Sequence, residues 1–108
     1  LDTFPYNGGT TTMEALWQGV PVVCFKGDRW VSRTSATLLH SAGLNDFIGE
    51  DKGDYIEIAK SWSKRRNELV DLRLQMREHL ENSPVCDGSA LAKDFERTVF
   101  EIINQPIV

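Results

Sequence analysis

A glycine-rich turn followed by three threonines is the stretch of this sequence whose residue types could do chemistry. It reads NGGTTT at residues 7–12. Glycines have no side chains, so a phosphate can approach their backbone closely. The first N–H groups of a helix have no acceptor inside the helix, and together with the helix dipole they attract an anion. We therefore predict a diphosphate site, with threonine hydroxyls as further donors, formed by Gly8, Gly9, Thr10, Thr11 and Thr12.

A glutamate lies about one turn inside the helix that should follow this turn. Glu14 cannot favour a phosphate directly, but its carboxylate can accept hydrogen bonds from the hydroxyls of a ribose. The two features together would suit a nucleotide diphosphate. The same residues also suit an ordinary turn and helix start, because Asn-Gly-Gly is common in turns and an early Glu suits the dipole. The motif is neither a Walker loop nor a dinucleotide fingerprint, so both interpretations stay open.

Other side chains give weaker signals. Arg33 is a weak candidate for balancing phosphate charge. His40 and His79 have no partners at the spacing of metal ligands, so we expect no metal. Trp17 and Trp62 fit the apolar faces of helices and are expected in the core, whereas Trp30 falls in a loop and could stack on a ligand.

The elements that must position these residues follow from hydrophobic spacing and turn signals. Residues 1–3 resemble the end of a strand, and a helix is predicted over 10–18, ended by Gly19. Further predictions are a strand over 21–25, a helix over 32–42 ended by Gly43, and a short strand over 45–48.

The remainder of the chain, from Asp51 onward, predicts helices alone. Asp51 or Asp54 can cap the first, Ser63 can cap the second, and the last spans about 89–105. The order indicates an α/β fold, specifically the C-terminal half of a doubly wound parallel sheet with flanking helices that ends in several helices. Ligands bind outside the carboxyl ends of strands in such sheets, which suits the position of the turn.

Composition sets further bounds. The chain has 108 residues and a formal net charge of −4, which fits one domain and disfavours a nucleic-acid partner. No apolar run approaches the ~20 residues of a membrane-spanning helix, so no membrane partner is expected. Cys24 and Cys86 lie far apart, which favours reduced thiols and a cytoplasmic location. Because the chain opens on an apparent strand end, we expect it to be an excised fragment of a longer protein.

A family resemblance supports the diphosphate interpretation. Residues 14–23, EALWQGVPVV, are similar to the Glu-Ala-x-x-x-Gly-x-Pro-Val-Val segment of GT-B glycosyltransferases, in which the glutamate binds the donor ribose. Residues 1–17 resemble the O-linked N-acetylglucosamine transferases and their SPINDLY-like and bacterial N-glycosyltransferase relatives. In that family a Gly-x-Thr-Thr turn holds the donor pyrophosphate and an acidic residue holds the ribose. The resemblance therefore implies these roles for Gly9, Thr10, Thr11 and Glu14.

The resemblance covers nearly the whole chain but is specific only to about residue 44. The chain departs from the animal enzymes at two places: they have His at the position of Gly9 and Asp at the position of Glu14. The first change removes one phosphate contact, and the second gives a longer reach toward the ribose.

The function implied by the resemblance is that of an inverting glycosyltransferase. The chain would be the C-terminal part of the donor-binding lobe, over residues 1–108, and would bind a UDP-sugar such as UDP-GlcNAc for transfer to a protein side chain. No cofactor is implied, and the catalytic base would lie outside this chain, so the chain alone should be inactive. The implied partners are an acceptor protein, the remaining lobe and upstream helical repeats of the same protein.

Two alternatives remain at this stage. The chain could be a non-enzymatic helical interaction module, with the apolar stripes of its last two helices facing a partner. It could also belong to another GT-B enzyme, such as a nucleotide-sugar epimerase.

Overall fold

The architecture consists of two very short parallel strands and five helices. The computed structural model describes residues 1–106. The strands and helices, in chain order, are α1 (Thr10–Trp17), β1 (Cys24–Phe25), α2 (Thr34–Ser41), β2 (Ile48–Gly49), α3 (Lys52–Ser63), α4 (Arg66–Glu81) and α5 (Gly88–Ile103). Three 3₁₀ turns, Trp30–Ser32, Asn45–Phe47 and Pro84–Cys86, connect them. The predicted α/β class, ending in several helices, is confirmed.

The strands pair in parallel, with Cys24 opposite Ile48 and Phe25 opposite Gly49. They are shorter than predicted. Pro21 has no N–H to donate to a ladder, and regular pairing begins only at Cys24. Residues 1–3 form no strand, although the Asp2 N–H donates to the Val23 carbonyl at 2.9 Å and holds this segment beside β1. The predicted strand over 45–48 is mostly a 3₁₀ turn, and β2 starts at Ile48.

The core is built mainly by helices. Leu16 of α1, Leu39 of α2, and Met76 and Leu80 of α4 are each completely buried. Trp62 packs at the edge of this core and stacks on Phe47 with ring centroids 4.4 Å apart.

The prediction that Trp17 lies in the core is wrong. Its side chain is 38% exposed, and the Arg77 guanidinium lies 4.8 Å from its ring centroid. Because successive helical residues point about 100° apart, α1 can direct only one of two neighbours fully inward. Leu16 takes that inward position, and Trp17 is left beside α4.

Helix ends follow local chemistry in three of four cases. The Asp51 side chain accepts a 2.9 Å hydrogen bond from the Asp54 N–H and caps α3 as predicted. Gly19 and Gly43 follow α1 and α2 at φ values of +80° and +74°, which favour glycine. The predicted Ser63 cap is wrong, because Ser63 is the last residue of α3 and its hydroxyl donates to the Lys60 carbonyl.

α5 has many exposed apolar side chains. Its stripe follows the predicted spacing, but Leu91, Phe95 and Ile102 are all more than 60% exposed. Within residues 1–106, no other element covers this face, since α5 packs mainly against the 3₁₀ turn over Pro84–Cys86.

The two cysteines differ in chemical reactivity. Cys24 is buried in β1, and burial, with a smaller effect of the Asp2 carboxylate, raises its pKa to about 12. Cys86 is exposed, and neither cysteine forms a disulfide. Because the thiolate is the reactive form, a disulfide reagent at neutral pH should modify one thiol rapidly and the second only after unfolding. Thiol counting by absorbance checks this, and Cys86→Ser should remove the rapid phase. Rapid modification of two thiols in the folded chain would contradict it.

Candidate functional site

The glycine-rich turn leads directly into α1, and it presents a row of unused backbone donors. Gly9 is the N-cap, and no side chain caps the helix. The first backbone bond runs from the Met13 N–H to the Gly9 carbonyl at 3.1 Å. Among the hydrogen bonds of residues 1–106, none uses the N–H groups of residues 9–12. These four donors at a helix N-terminus can bind an anion.

Gly8 is held on both sides by hydrogen bonds, one to the nearby Asp2 and one from the distant Ser35. Its N–H donates to Asp2 Oδ1 at 3.0 Å, and its carbonyl accepts from Ser35 Oγ at 3.0 Å. Ser35 Oγ also lies 2.9 Å from Thr12 Oγ1, in a pair that is buried from solvent. We call Asp2, Ser35 and Thr12 the Gly8 support. It fixes the peptide groups that lead into the row of free N–H groups.

The structure changes what Thr12 can contribute. Its hydroxyl was predicted as a donor to the diphosphate, but its side chain is only 2% exposed and pairs with Ser35. The cause is helical periodicity, because Thr12 lies four residues before the buried Leu16 and shares its inward face. Only the N–H of Thr12 remains available to a ligand. Thr10 and Thr11 are exposed, so their hydroxyls can still reach one.

Glu14 is exposed and lies four residues after Thr10, so the two share one face of α1. No hydrogen bond or ion pair among residues 1–106 uses its carboxylate. The group is therefore available to a ligand whose phosphates lie at the helix tip.

Arg33 and Lys26 do not belong to the turn. Arg33 immediately precedes α2, and its guanidinium donates to the Gly27 carbonyl at 2.9 Å. Its phosphate role stays a prediction. Lys26 forms an ion pair with Glu50 at 2.6 Å, just past the ends of β1 and β2.

Asp2 and Ser35, which hold Gly8 by hydrogen bonds, were not predicted from the sequence. Ser35 is 27 positions from Gly8, and nothing in the local pattern marks it as a partner. Asp2 had a weak signal, since an acidic residue shortly before a glycine turn often accepts its N–H groups. The Asp2 carbonyl also accepts from the Tyr55 hydroxyl at 2.9 Å, which links the turn to α3.

Residues 1–106 show neither a metal-binding cluster nor a membrane-spanning helix. No group of three or more His, Cys, Asp or Glu side chains there could hold a metal ion. His40 instead pairs with Asn45, and His79 contacts the Ala42 carbonyl. In the same part of the chain, no helix combines the length and apolar character needed to cross a membrane.

Comparisons with known proteins agree on one family. The sequence model of glycosyl transferase family 41 matches residues 1–95. A relative from Eustoma exaltatum subsp. russellianum, named a probable UDP-N-acetylglucosamine–peptide N-acetylglucosaminyltransferase SPINDLY, is 38% identical over 91% of this chain. The Arabidopsis thaliana protein SEC, which has the same transferase name, is 30% identical over 96% of this chain. The match covers 11% of each relative, so the chain spans about a tenth of their length.

A solved structure extends the agreement to the fold. A mutant of the Thermobaculum terrenum O-GlcNAc transferase superposes with a TM-score of 0.79 at 35% sequence identity. The superposition covers 91% of this chain and 19% of that protein. With the family match over residues 1–95, these findings show that the chain belongs to glycosyl transferase family 41.

Proposed function

We propose that this chain holds the nucleotide-sugar donor of a glycosyltransferase that modifies protein side chains, with a UDP-sugar such as UDP-GlcNAc as donor. The observation that carries the proposal is the row of free N–H groups at residues 9–12, preceded by the doubly bonded Gly8. The names of the relatives, which specify transfer of N-acetylglucosamine from UDP to peptide, support the substrate class.

Each part of the donor has a matching group in the site. The N–H groups of residues 9–12, with the hydroxyls of Thr10 and Thr11, would bind the diphosphate, and Glu14 would accept hydrogen bonds from the ribose. These donors are fixed before the reaction. They therefore stabilise the negative charge that grows on the diphosphate as its bond to the sugar breaks.

The transfer itself needs groups from the rest of the protein. An acceptor oxygen or nitrogen attacks the anomeric carbon with inversion, the diphosphate oxygen leaves with the bonding electrons, and a base outside this chain takes the acceptor proton. In this proposal residues 1–108 are the C-terminal part of the donor lobe and are inactive alone. The other lobe, upstream helical repeats and the acceptor protein are its partners, the reaction uses no metal, and the protein acts in the cytoplasm.

Binding of UDP to the chain tests this proposal. In a two-dimensional amide NMR titration we expect UDP to shift the signals of residues 8–12. Glu14→Ala should weaken binding about tenfold, because a charged hydrogen-bond acceptor for the ribose is lost. Glu96→Ala is the matched control, since Glu96 is also an exposed helical glutamate but lies on α5. Unchanged amides at millimolar UDP, or equal weakening by both variants, would count against the assigned donor site.

A further inference from the structure

An open cavity beside the proposed donor turn is lined in part by an exposed tryptophan, Trp30. Its volume is about 290 Å³, and its lining residues are Trp30, Arg33, Thr34, Thr37 and Leu38. Trp30 is 78% exposed. Because Trp30 lines this cavity, its ring offers a large and rigid apolar surface to a ligand.

The backbone that bears Trp30 is held firmly. Ser32 Oγ donates to the Arg29 carbonyl at 3.0 Å and accepts from the Arg29 N–H at 3.2 Å. The Gly27 N–H donates to the Ser32 carbonyl at 3.0 Å, and Ser32 is only 2% exposed. The ring is therefore carried on an ordered turn, which lowers the entropy lost when a ligand packs against it.

The cavity wall is apolar for a specific reason. The hydroxyl of Thr34 donates to the Trp30 carbonyl at 3.3 Å, and that of Thr37 donates to the Arg33 carbonyl at 3.1 Å. With both hydroxyls used by the backbone, the wall offers methyl groups, the indole ring and one guanidinium. Sugar recognition needs several hydrogen-bonding groups around an aromatic ring, so an apolar side chain fits this wall better than a sugar.

The cavity adjoins the turn that would hold the diphosphate. The Asn7 N–H donates to the Val31 carbonyl at 2.8 Å, which joins the two loops. A Cβ atom added at Gly9 would lie 3.8 Å from the Thr34 Cγ2 methyl. An acceptor must approach the sugar carried on that diphosphate, and this wall lies next to the turn that would hold the diphosphate.

We propose that this cavity binds the acceptor polypeptide by packing an apolar side chain, near the modified residue, against the Trp30 ring. The inference rests on the proposed function, since it takes the turn at residues 8–12 as the donor site. Arg33 at the cavity edge adds a donor for a backbone carbonyl of the acceptor.

The first test needs no transfer activity and therefore stays informative if the proposed function fails. Two synthetic peptides are used, one with a serine flanked by leucines and one with the same serine flanked by glycines. In the 108-residue chain, the indole N–H signal of Trp30 should shift with the leucine peptide at millimolar concentration and not with the glycine peptide. An unmoved indole signal with the leucine peptide overturns the proposal.

The second test measures transfer by the longer protein that contains this chain. Trp30→Ala should raise KM for the leucine peptide about tenfold, as expected for loss of an aromatic anchor, and leave KM for the sugar donor unchanged. Trp30→Phe should restore most of the affinity. Leu74→Ala, on α4 and also 78% exposed, is the control and should change neither constant. A raised KM for the sugar donor overturns the proposal, because Trp30 would then contact the donor. An unchanged KM for the peptide also overturns it, with or without a loss of thermal stability, because Trp30 would then contact another part of the protein.

Discussion

Gly8→Ala should weaken UDP binding about tenfold or more and lower the free energy of unfolding by about 1–3 kcal/mol. A Cβ atom at this position would lie 2.6 Å from both Thr11 Oγ1 and Thr12 Oγ1, which is closer than real Cβ contacts. The exposed Thr11 side chain can rotate away. Thr12 cannot do so without giving up its buried hydrogen bond to Ser35, so the backbone must move instead. That movement displaces the N–H groups of residues 9–12 from their common direction.

Gly9→Ala is the matched control for this prediction. A Cβ atom there meets only the Thr34 methyl, at the ordinary contact distance of 3.8 Å, so stability should change by no more than about 0.5 kcal/mol. Urea unfolding gives the stability of both variants, and the UDP titration gives their affinity. Equal losses of stability in the two alanine variants would contradict the steric conflict assigned to Gly8.

The helices and the turn are the parts of the structure that the sequence predicts well. Local signals define them: apolar residues at helical spacing, Asp51 as a cap, and Gly19 and Gly43 at positive φ. The NGGTTT segment is likewise defined by local sequence alone, since the first N–H groups of any helix have no acceptor within the helix. For this reason the turn and the start of α1 could be located without any structure.

The rest of the site depends on contacts between distant residues. Ser35 reaches Gly8 from 27 positions away, and no periodicity in either segment indicates that contact. The inward direction of Thr12 was accessible, because its spacing of four from Leu16 places both on the buried face. The exposure of Trp17 could not be predicted in the same way. Only the packing of α1 on α4 decides which of two neighbouring apolar side chains is buried.

Leu16→Ala should produce the largest loss of stability among these variants, about 2–5 kcal/mol. Leu16 is completely buried in the cluster that joins α1 to α4, and its truncation leaves a cavity as well as removing apolar contact. Each strand has only two residues, so the sheet is too small to compensate for the lost packing between α1 and α4. Small domains are stable by about 5–15 kcal/mol, so the change removes a large share of the total.

Leu74→Ala is the matched control, because it makes the same substitution at an exposed position of α4. Leu74 is a leucine in the middle of α4 but is 78% exposed, so its truncation should cost no more than about 0.5 kcal/mol. Urea unfolding should therefore distinguish the two variants clearly, and similar losses would contradict the helix-built core. Amide hydrogen exchange tests whether this packing also affects the donor site. Leu16→Ala should loosen α1, the helix whose first N–H groups would bind the donor. Faster exchange along α1, with a parallel loss of UDP affinity, is the result expected if packing on α4 keeps those donors in position.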